Sequence, residues 1–460
     1  MENKNIAENE LNLEPNQPPI KNSPDKGSLR YFGPGFLVAA AFIGPGTVTT
    51  AIMAGGSFGF QLLWAVGFAV FATIIFQEMA ARLGLVTKKG LGEAISSFIK
   101  NPQLRISMLL LVFAAIIFGN AAYQAGNVSG AAKGLSNFVP AIPNFVWLTA
   151  CSGAAAMIIW RGSLKSLKYV LISLVGLMSL TFIIAAIASR PSVPDLFAGL
   201  FSLEVPWFDL KVLIAIIGTT VVPYNLFLHS SAVAEQNAEL AVELHQEFNH
   251  KTNSNPMESS SSGAPNDHDE SNDQFDEALI ATRSDTWMAV GIGGLVTASV
   301  LITAAGTNAV NLTEAGNVLE PIVGASGRTL FFLGLFAAGL TSAITAPLAA
   351  GYAYAGCFGF KAHADSKEVR KVAITVIGIG FLAAAIFGKS PSQIILLAQV
   401  ANGLVLPIVA VFLLTVMNSK QILGQYRNSW FQNLLGGIVV LFVSGLGVYQ
   451  LAKAFGFVAA

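Results

Sequence analysis

Gly44-Pro45-Gly46-Thr47 interrupts the long apolar run from Gly33 to Gly55, and the fold turns on how this break is read. Proline removes a backbone donor and clashes with the carbonyl one turn back, while glycine holds conformations that other residues resist. In a bilayer, each freed backbone group costs several kcal/mol unless protein, water or a ligand satisfies it. A break at mid-membrane depth is therefore either a kink packed against neighbouring helices or the lining of a solute site. A second run, Thr219-Thr220-Val221-Val222-Pro223-Tyr224-Asn225, repeats the pattern inside an apolar segment that starts near Leu210 and ends near Ala234. Two interrupted segments in corresponding positions of two halves point to an inverted-repeat secondary transporter.

Composition supports a membrane protein independently of either break. Hydrophobic residues make up 53% of the chain and charged residues 11%, with a mean hydropathy of +0.62. A soluble domain carries roughly twice that share of charge. Apolar runs of about 20 residues predict eleven spans, near 33–57, 60–85, 104–130, 145–160, 167–189, 210–234, 286–308, 328–356, 370–388, 392–417 and 431–456. Most basic side chains, including Arg82, Lys88, Lys89, Arg161, Lys165, Lys361, Arg370 and Lys420, fall on one side of this arrangement. The positive-inside rule then predicts a multi-pass protein of a bacterial-type inner membrane, with a cytoplasmic N-terminus and an outside C-terminus. Lys and Arg total 26 and Asp and Glu total 26, spread along inner loops, which argues against a nucleic-acid partner.

Residues 1–30 are polar, with Pro15, Pro18, Pro19 and Pro24, and lack an apolar signal core; they read as a disordered cytoplasmic tail. Residues 31–460 read as the transporter domain. Within it, 235–284 reads as a low-complexity cytoplasmic loop, marked by Ser259-Ser260-Ser261-Ser262-Gly263 and Asp267-His268-Asp269-Glu270. His245, His250 and His268 lack ligand spacing and read as solvated residues. Cys151 and Cys357 sit inside predicted spans without Cys-x-x-Cys spacing and read as small packed hydrophobes.

With these features in view, the chain resembles the Nramp divalent-metal transporters. The resemblance is carried by Gly33-Pro34-Gly35-Phe36-Leu37-Val38, by Phe42 through Thr47, by Ala54-Gly55-Gly56-Ser57-Phe58-Gly59-Phe60 and by Gln77 through Gly84. It continues through Val222 to Ser230, Ala337 to Thr345 and Ala398-Gln399-Val400. It implies an all-α, LeuT-like fold: two inverted five-helix repeats with helices one and six unwound around a central site, plus an eleventh helix, working by alternating access. The metal-transporting members carry Asp-Pro-Gly-Asn in helix one and Met-Pro-His in helix six; the matching residues here are Gly44-Pro45-Gly46-Thr47 and Val222-Pro223-Tyr224. Their helix three carries an acidic pair, Asp-x-x-Glu, where this chain has Asn120 and Tyr123 ahead of Gly126, and of the helix-six histidines His229 remains.

These replacements change the expected chemistry. The aspartate supplies the one formal negative charge facing a dication, whereas Gly44 offers at most a carbonyl. A charged side chain at the bilayer centre already costs between about 2.5 and more than 10 kcal/mol, so an uncompensated dication is severely disfavoured. A methionine thioether suits transition metals, and Val222 has no donor at all. Weak or absent manganese and iron binding is expected, with no confident metal ligands and with altered or absent proton coupling. The expected substrate site comprises Gly44, Pro45, Gly46, Thr47, Thr219, Val222, Pro223, Tyr224, Asn225 and Gln399. Glu78, Asn120, Tyr123 and His229 are candidates for coupling or gating, although Glu78 and Arg82 stand at the i, i+4 spacing of a helical ion pair.

Three functions stay open: transport of a hard cation such as magnesium, which keeps its waters; transport of a small organic solute such as an amino acid or carboxylate, cradled by the amide ends of the half-helices; and a non-transporting sensor. No nucleophile–base constellation or phosphate-cradling motif suggests an enzyme. No cofactor is expected, and the partners are a small solute or cation and the lipid bilayer around a monomer.

Overall fold

The computed structural model describes residues 33–99, 101–206, 210–254, 267–318, 325–387 and 406–454. The first predicted span is two helices, α1 (Pro34–Phe42) and α2 (Pro45–Phe58), bent by 54° at Ile43-Gly44. Each begins with proline near its first position, where a missing N–H costs no helical hydrogen bond. α3 (Leu63–Thr87), α4 (Leu91–Phe98), α5 (Pro102–Ser136), α6 (Asn144–Arg161), α7 (Leu164–Ala188) and α8 (Val193–Phe201) follow.

The second half opens with another interrupted span, α9 (Leu210–Thr220) and α10 (Pro223–Ser254). Here the interruption is shallower, and residues 210–242 still form one apolar span. Next come α11 (Asp267–Thr307), α12 (Leu312–Val318), α13 (Ala325–Phe358), α14 (Lys367–Phe387), α15 (Leu406–Met417), the short α16 (Lys420–Leu423) and α17 (Trp430–Ala454). Among the described residues, seven helices are long and apolar enough to cross a membrane, or nine with the two bent pairs α1–α2 and α15–α16, and α5 and α6 occupy two other expected positions.

The segment expected as a loop over 235–284 differs from that expectation. α10 continues to Ser254 and α11 already begins at Asp267. The cause is local: Ala238-Glu239-Leu240-Ala241 and Glu243-Leu244 are strong helix formers with no glycine or proline before Pro256, so the helix runs on past the apolar region. The serine run 259–262 lies outside the described residues, as does the tail 1–30.

Packing sorts the spans into two groups. α1–α2, α3, α9–α10 and α11 pack on one another, and α5, α6, α13 and α14 form the second set. The first and second spans of each half thus join one group, and the third and fourth join the other. Small residues allow the close approaches. A side chain at Gly134 of α5 would come within 2.7 Å of the Phe332 carbonyl and the Phe336 amide of α13. The outward faces carry exposed Ile187, Ile386 and Leu441, as a lipid-facing surface requires. Cys151 and Cys357 are free and buried, in keeping with packed thiols.

Candidate functional site

The break between α1 and α2 lies where both helix groups meet. Gly44 caps α2 in an extended conformation, φ −114° and ψ −178°, that any residue adopts. Space, and not backbone angle, favours glycine there, since any larger residue would have to displace a neighbouring side chain. A Cβ would lie 2.6 Å from Ser342 Oγ and 3.2 Å from Asn127 Oδ1. Pro45 is walled in as well, because a side chain at Gly130 of α5 would run into its ring.

The two breaks are stitched together. Thr47 Oγ1 donates across the first break to the Phe42 carbonyl and meets Thr219 Oγ1 of α9 at 2.7 Å. Tyr224 Oη of α10 reaches back to the Ala41 carbonyl at 3.4 Å, and its ring stands edge-on to Tyr123 of α5, with centroids 5.9 Å apart. The Asn225 amide closes a turn onto the Val222 carbonyl at 3.1 Å. Thr47, Thr219, Val222, Tyr224 and Asn225 are all buried. Among the described residues, the side chains that meet here are hydroxyls, amides, a phenol and the apolar Val222, all neutral. Both amide atoms of Asn225 and the Nδ2 of Asn127 are buried without a hydrogen-bond partner, and an orphaned buried polar group calls for a water, an ion or a ligand.

The other candidates fall elsewhere. Asn120 Nδ2 donates to the Ala346 carbonyl at 3.0 Å, and Gln124, one turn on, donates to Ala343 at 3.1 Å, so this stripe ties α5 to α13. Of the residues matching the acidic pair, only Tyr123 touches the break. His229 is fully buried; its Nδ1 lies 3.0 Å from Gln77 Oε1 of α3, and its Nε2 has no partner. Glu78 receives the Arg82 guanidinium through two bonds of 3.0 Å and Arg283 Nε at 2.9 Å. That is the helical ion pair, extended by an arginine from α11. Gln399 lies outside the described residues.

A second cluster sits beyond the apolar part of α10. Ligand atoms of Glu235, His363 and Asp365 all lie within 4.8 Å of one another. Burial holds the His363 imidazole below its ordinary value, which keeps it in the neutral form that a metal ion takes. The Glu235 carboxylate is already occupied by Tyr352 Oη at 2.5 Å and by the Ala364 amide at 2.9 Å.

Sequence reasoning missed Asn127, Ser342 and Thr345 at the break. A signal existed: Asn120, Gln124 and Asn127 recur at i, i+4 and i+7, the spacing of one helix face. Hydroxyls in an apolar helix are common, and nothing local tells Ser342 from any other.

A family model described as "Natural resistance-associated macrophage protein-like" matches residues 35–453. The divalent metal cation transporter MntH of Aeromonas hydrophila is 26% identical over 446 residues, covering 93% of this chain and 96% of the relative. The protein of that name from Yersinia enterocolitica is 27% identical over 437 residues, covering 92% and 95%. Among solved structures, a manganese transporter of Eremococcus coleocola aligns with a TM-score of 0.74 at 20% identity, covering 96% of this chain and 92% of the other. MhsT, solved with L-phenylalanine, aligns at 0.51 and 16%, covering 90% and 98%. These structural likenesses establish the fold, which is LeuT-like.

Proposed function

The chain belongs to the Nramp family, and from that premise we propose that it is a secondary transporter whose cargo passes through the paired breaks and is not a transition metal. The observation that carries this reading is the neutral site: Gly44 brings no carboxylate and Val222 no thioether. A dication stripped of water there meets only partial charges, while the cost of its burial grows with the square of its charge. Relatives whose names specify divalent metal cations argue for metal cargo; the chemistry of these residues argues against a manganese-like one.

A small polar organic solute fits the site best. The unpartnered Nδ2 of Asn127 and both unpartnered amide atoms of Asn225 suit a solute that accepts and donates hydrogen bonds, whereas a cation satisfies the Asn225 oxygen alone. The amides at the start of α2 and α10 add partial positive charge of the same sense. A hydrated hard cation such as magnesium is the second reading, favoured by the named function of the relatives and by the hydroxyls of Thr47 and Thr219. Neither reading requires a proton carried at Asn120 or Tyr123. The N-terminus faces the cytoplasm in this proposal.

The deciding measurement is uptake into proteoliposomes holding the purified chain. Manganese uptake stays at the level of protein-free liposomes up to millimolar concentration, whereas saturable uptake in the micromolar range sinks the reading.

A further inference from the structure

Residues 359–366 join α13 to α14 and carry His363 and Asp365 on either side of Ala364. Ala364 is anchored through both of its backbone polar groups. Its N–H donates to the Glu235 carboxylate of α10 at 2.9 Å, its carbonyl accepts from Arg370 Nε at 3.3 Å, and the residue is 1% exposed. The connection then closes a turn, with the Ser366 amide donating to the His363 carbonyl at 3.0 Å. This fixed alanine sets its two neighbours beside Glu235, so that ligand atoms of all three side chains lie within 4.8 Å of one another.

The three side chains are unequally engaged. Glu235 is 3% exposed and is held by Tyr352 Oη and the Ala364 amide. Among the described residues, neither the half-buried His363 imidazole nor the exposed Asp365 carboxylate has a hydrogen-bond partner. Hydrogen bonds from a second layer are the usual support of a ligating carboxylate. A carboxylate has about four acceptor positions, and Glu235 Oε1 accepts only from Ala364, at 3.1 Å, which leaves it a lone pair. The charges that act on Glu235, those of Glu239 and Asp365, are both negative. On the His363 side Lys361 is the one cation, with Asp365 opposing it.

We propose that Glu235, His363 and Asp365 bind a divalent transition-metal ion where α10 meets the connection between α13 and α14. The donor set chooses the class. Two carboxylates neutralise a doubly charged ion, and an imidazole nitrogen suits zinc and its neighbours, whereas magnesium and calcium take oxygen ligands. Three protein ligands leave a fourth position for water. Bonds of about 2.0–2.2 Å place neighbouring donors of a tetrahedral site roughly 3.4 Å apart, so the ligands draw in when the ion arrives. Asp365 and His363, free of hydrogen bonds, supply that movement while Glu235 stays in place. The site also bridges the two helix groups, since Glu235 belongs to α10 of the first and the other two ligands to a connection within the second. A bound ion clamps together the parts that alternating access moves. That consequence rests on the transporter reading; the binding does not.

Binding is measured without any cargo. The purified full-length chain in detergent, stripped of metal with a chelator, is titrated with zinc chloride or magnesium chloride. Zinc raises the melting temperature saturably in the micromolar range, and millimolar magnesium does not. His363→Asn and Asp365→Asn melt like the parent without metal, and each lowers zinc affinity at least tenfold. A smaller loss in either variant overturns the site, as does a zinc titration with no saturable rise or one that magnesium matches. X-ray absorption at the zinc edge of the parent chain, loaded with one equivalent, needs no variant. One imidazole nitrogen among oxygens is expected there, and a thiolate sulfur or a second imidazole overturns the assignment. The cargo reading and this inference fail separately: saturable manganese uptake defeats the first and leaves the site standing, and a failed zinc titration defeats the site alone.

Discussion

Gly44 concentrates the residue-scale argument. Its backbone angles admit an aspartate, yet the space beyond its Cα is taken by Ser342 and Asn127. A neighbouring hydroxyl and an amide oxygen therefore stand where a longer side chain would go. Gly44→Asp alone should cost about 1–3 kcal/mol through overpacking, read as a lower melting temperature. Combining Gly44→Asp, Val222→Met and Tyr224→His with Ser342→Gly should relieve the clash and produce calorimetric manganese binding tighter than that of the parent chain. A folded quadruple variant with no manganese binding would place the cargo site away from the breaks.

Among elements, a dense polar junction lies on α3. Arg82 holds Glu78 with two nitrogens, donates to the Tyr426 carbonyl at 2.6 Å and reaches Asn428 Oδ1 at 2.8 Å, so one guanidinium ties α3 to the turn between α16 and α17. Arg82 is 3% exposed. Arg82→Ala strands a buried carboxylate with Arg283 as its remaining ion-pair partner, and thermal unfolding should show a loss of about 3 kcal/mol, the low end of the range for breaking a buried pair. Arg82→Lys should recover little of it, since an ammonium cannot span the fork. Recovery to within experimental error by lysine would show that charge alone, and not geometry, makes the junction. The i, i+4 spacing revealed the Glu78–Arg82 contact in the sequence; Arg283, Tyr426 and Asn428 are far away in the chain and gave no sign of it.

At the scale of the whole molecule, orientation is the property to be tested. Lys89 and Glu314 are both exposed and lie on opposite sides of the expected topology, and the native Cys151 and Cys357 are buried and do not compete for labelling. A cysteine replacing Lys89 should react with a membrane-impermeant maleimide only after cells are permeabilised, and one replacing Glu314 should react in intact cells. The reverse pattern would invert the assigned topology. The sequence by itself pointed to the membrane class, to most of the spans seen among the described residues and to two interrupted helices, because apolar length and proline chemistry act locally and need no partner to be read. It also placed Thr47 and Thr219, which meet at 2.7 Å, at corresponding places in two halves. What only the tertiary structure decided is what stands opposite each break: Ser342 and Asn127 against Gly44, Thr345 against Ala40, and Gln77 beside His229. These meetings join residues separated by about half a repeat or more, and one hydroxyl in an apolar helix looks like another until packing gives it a carbonyl to face.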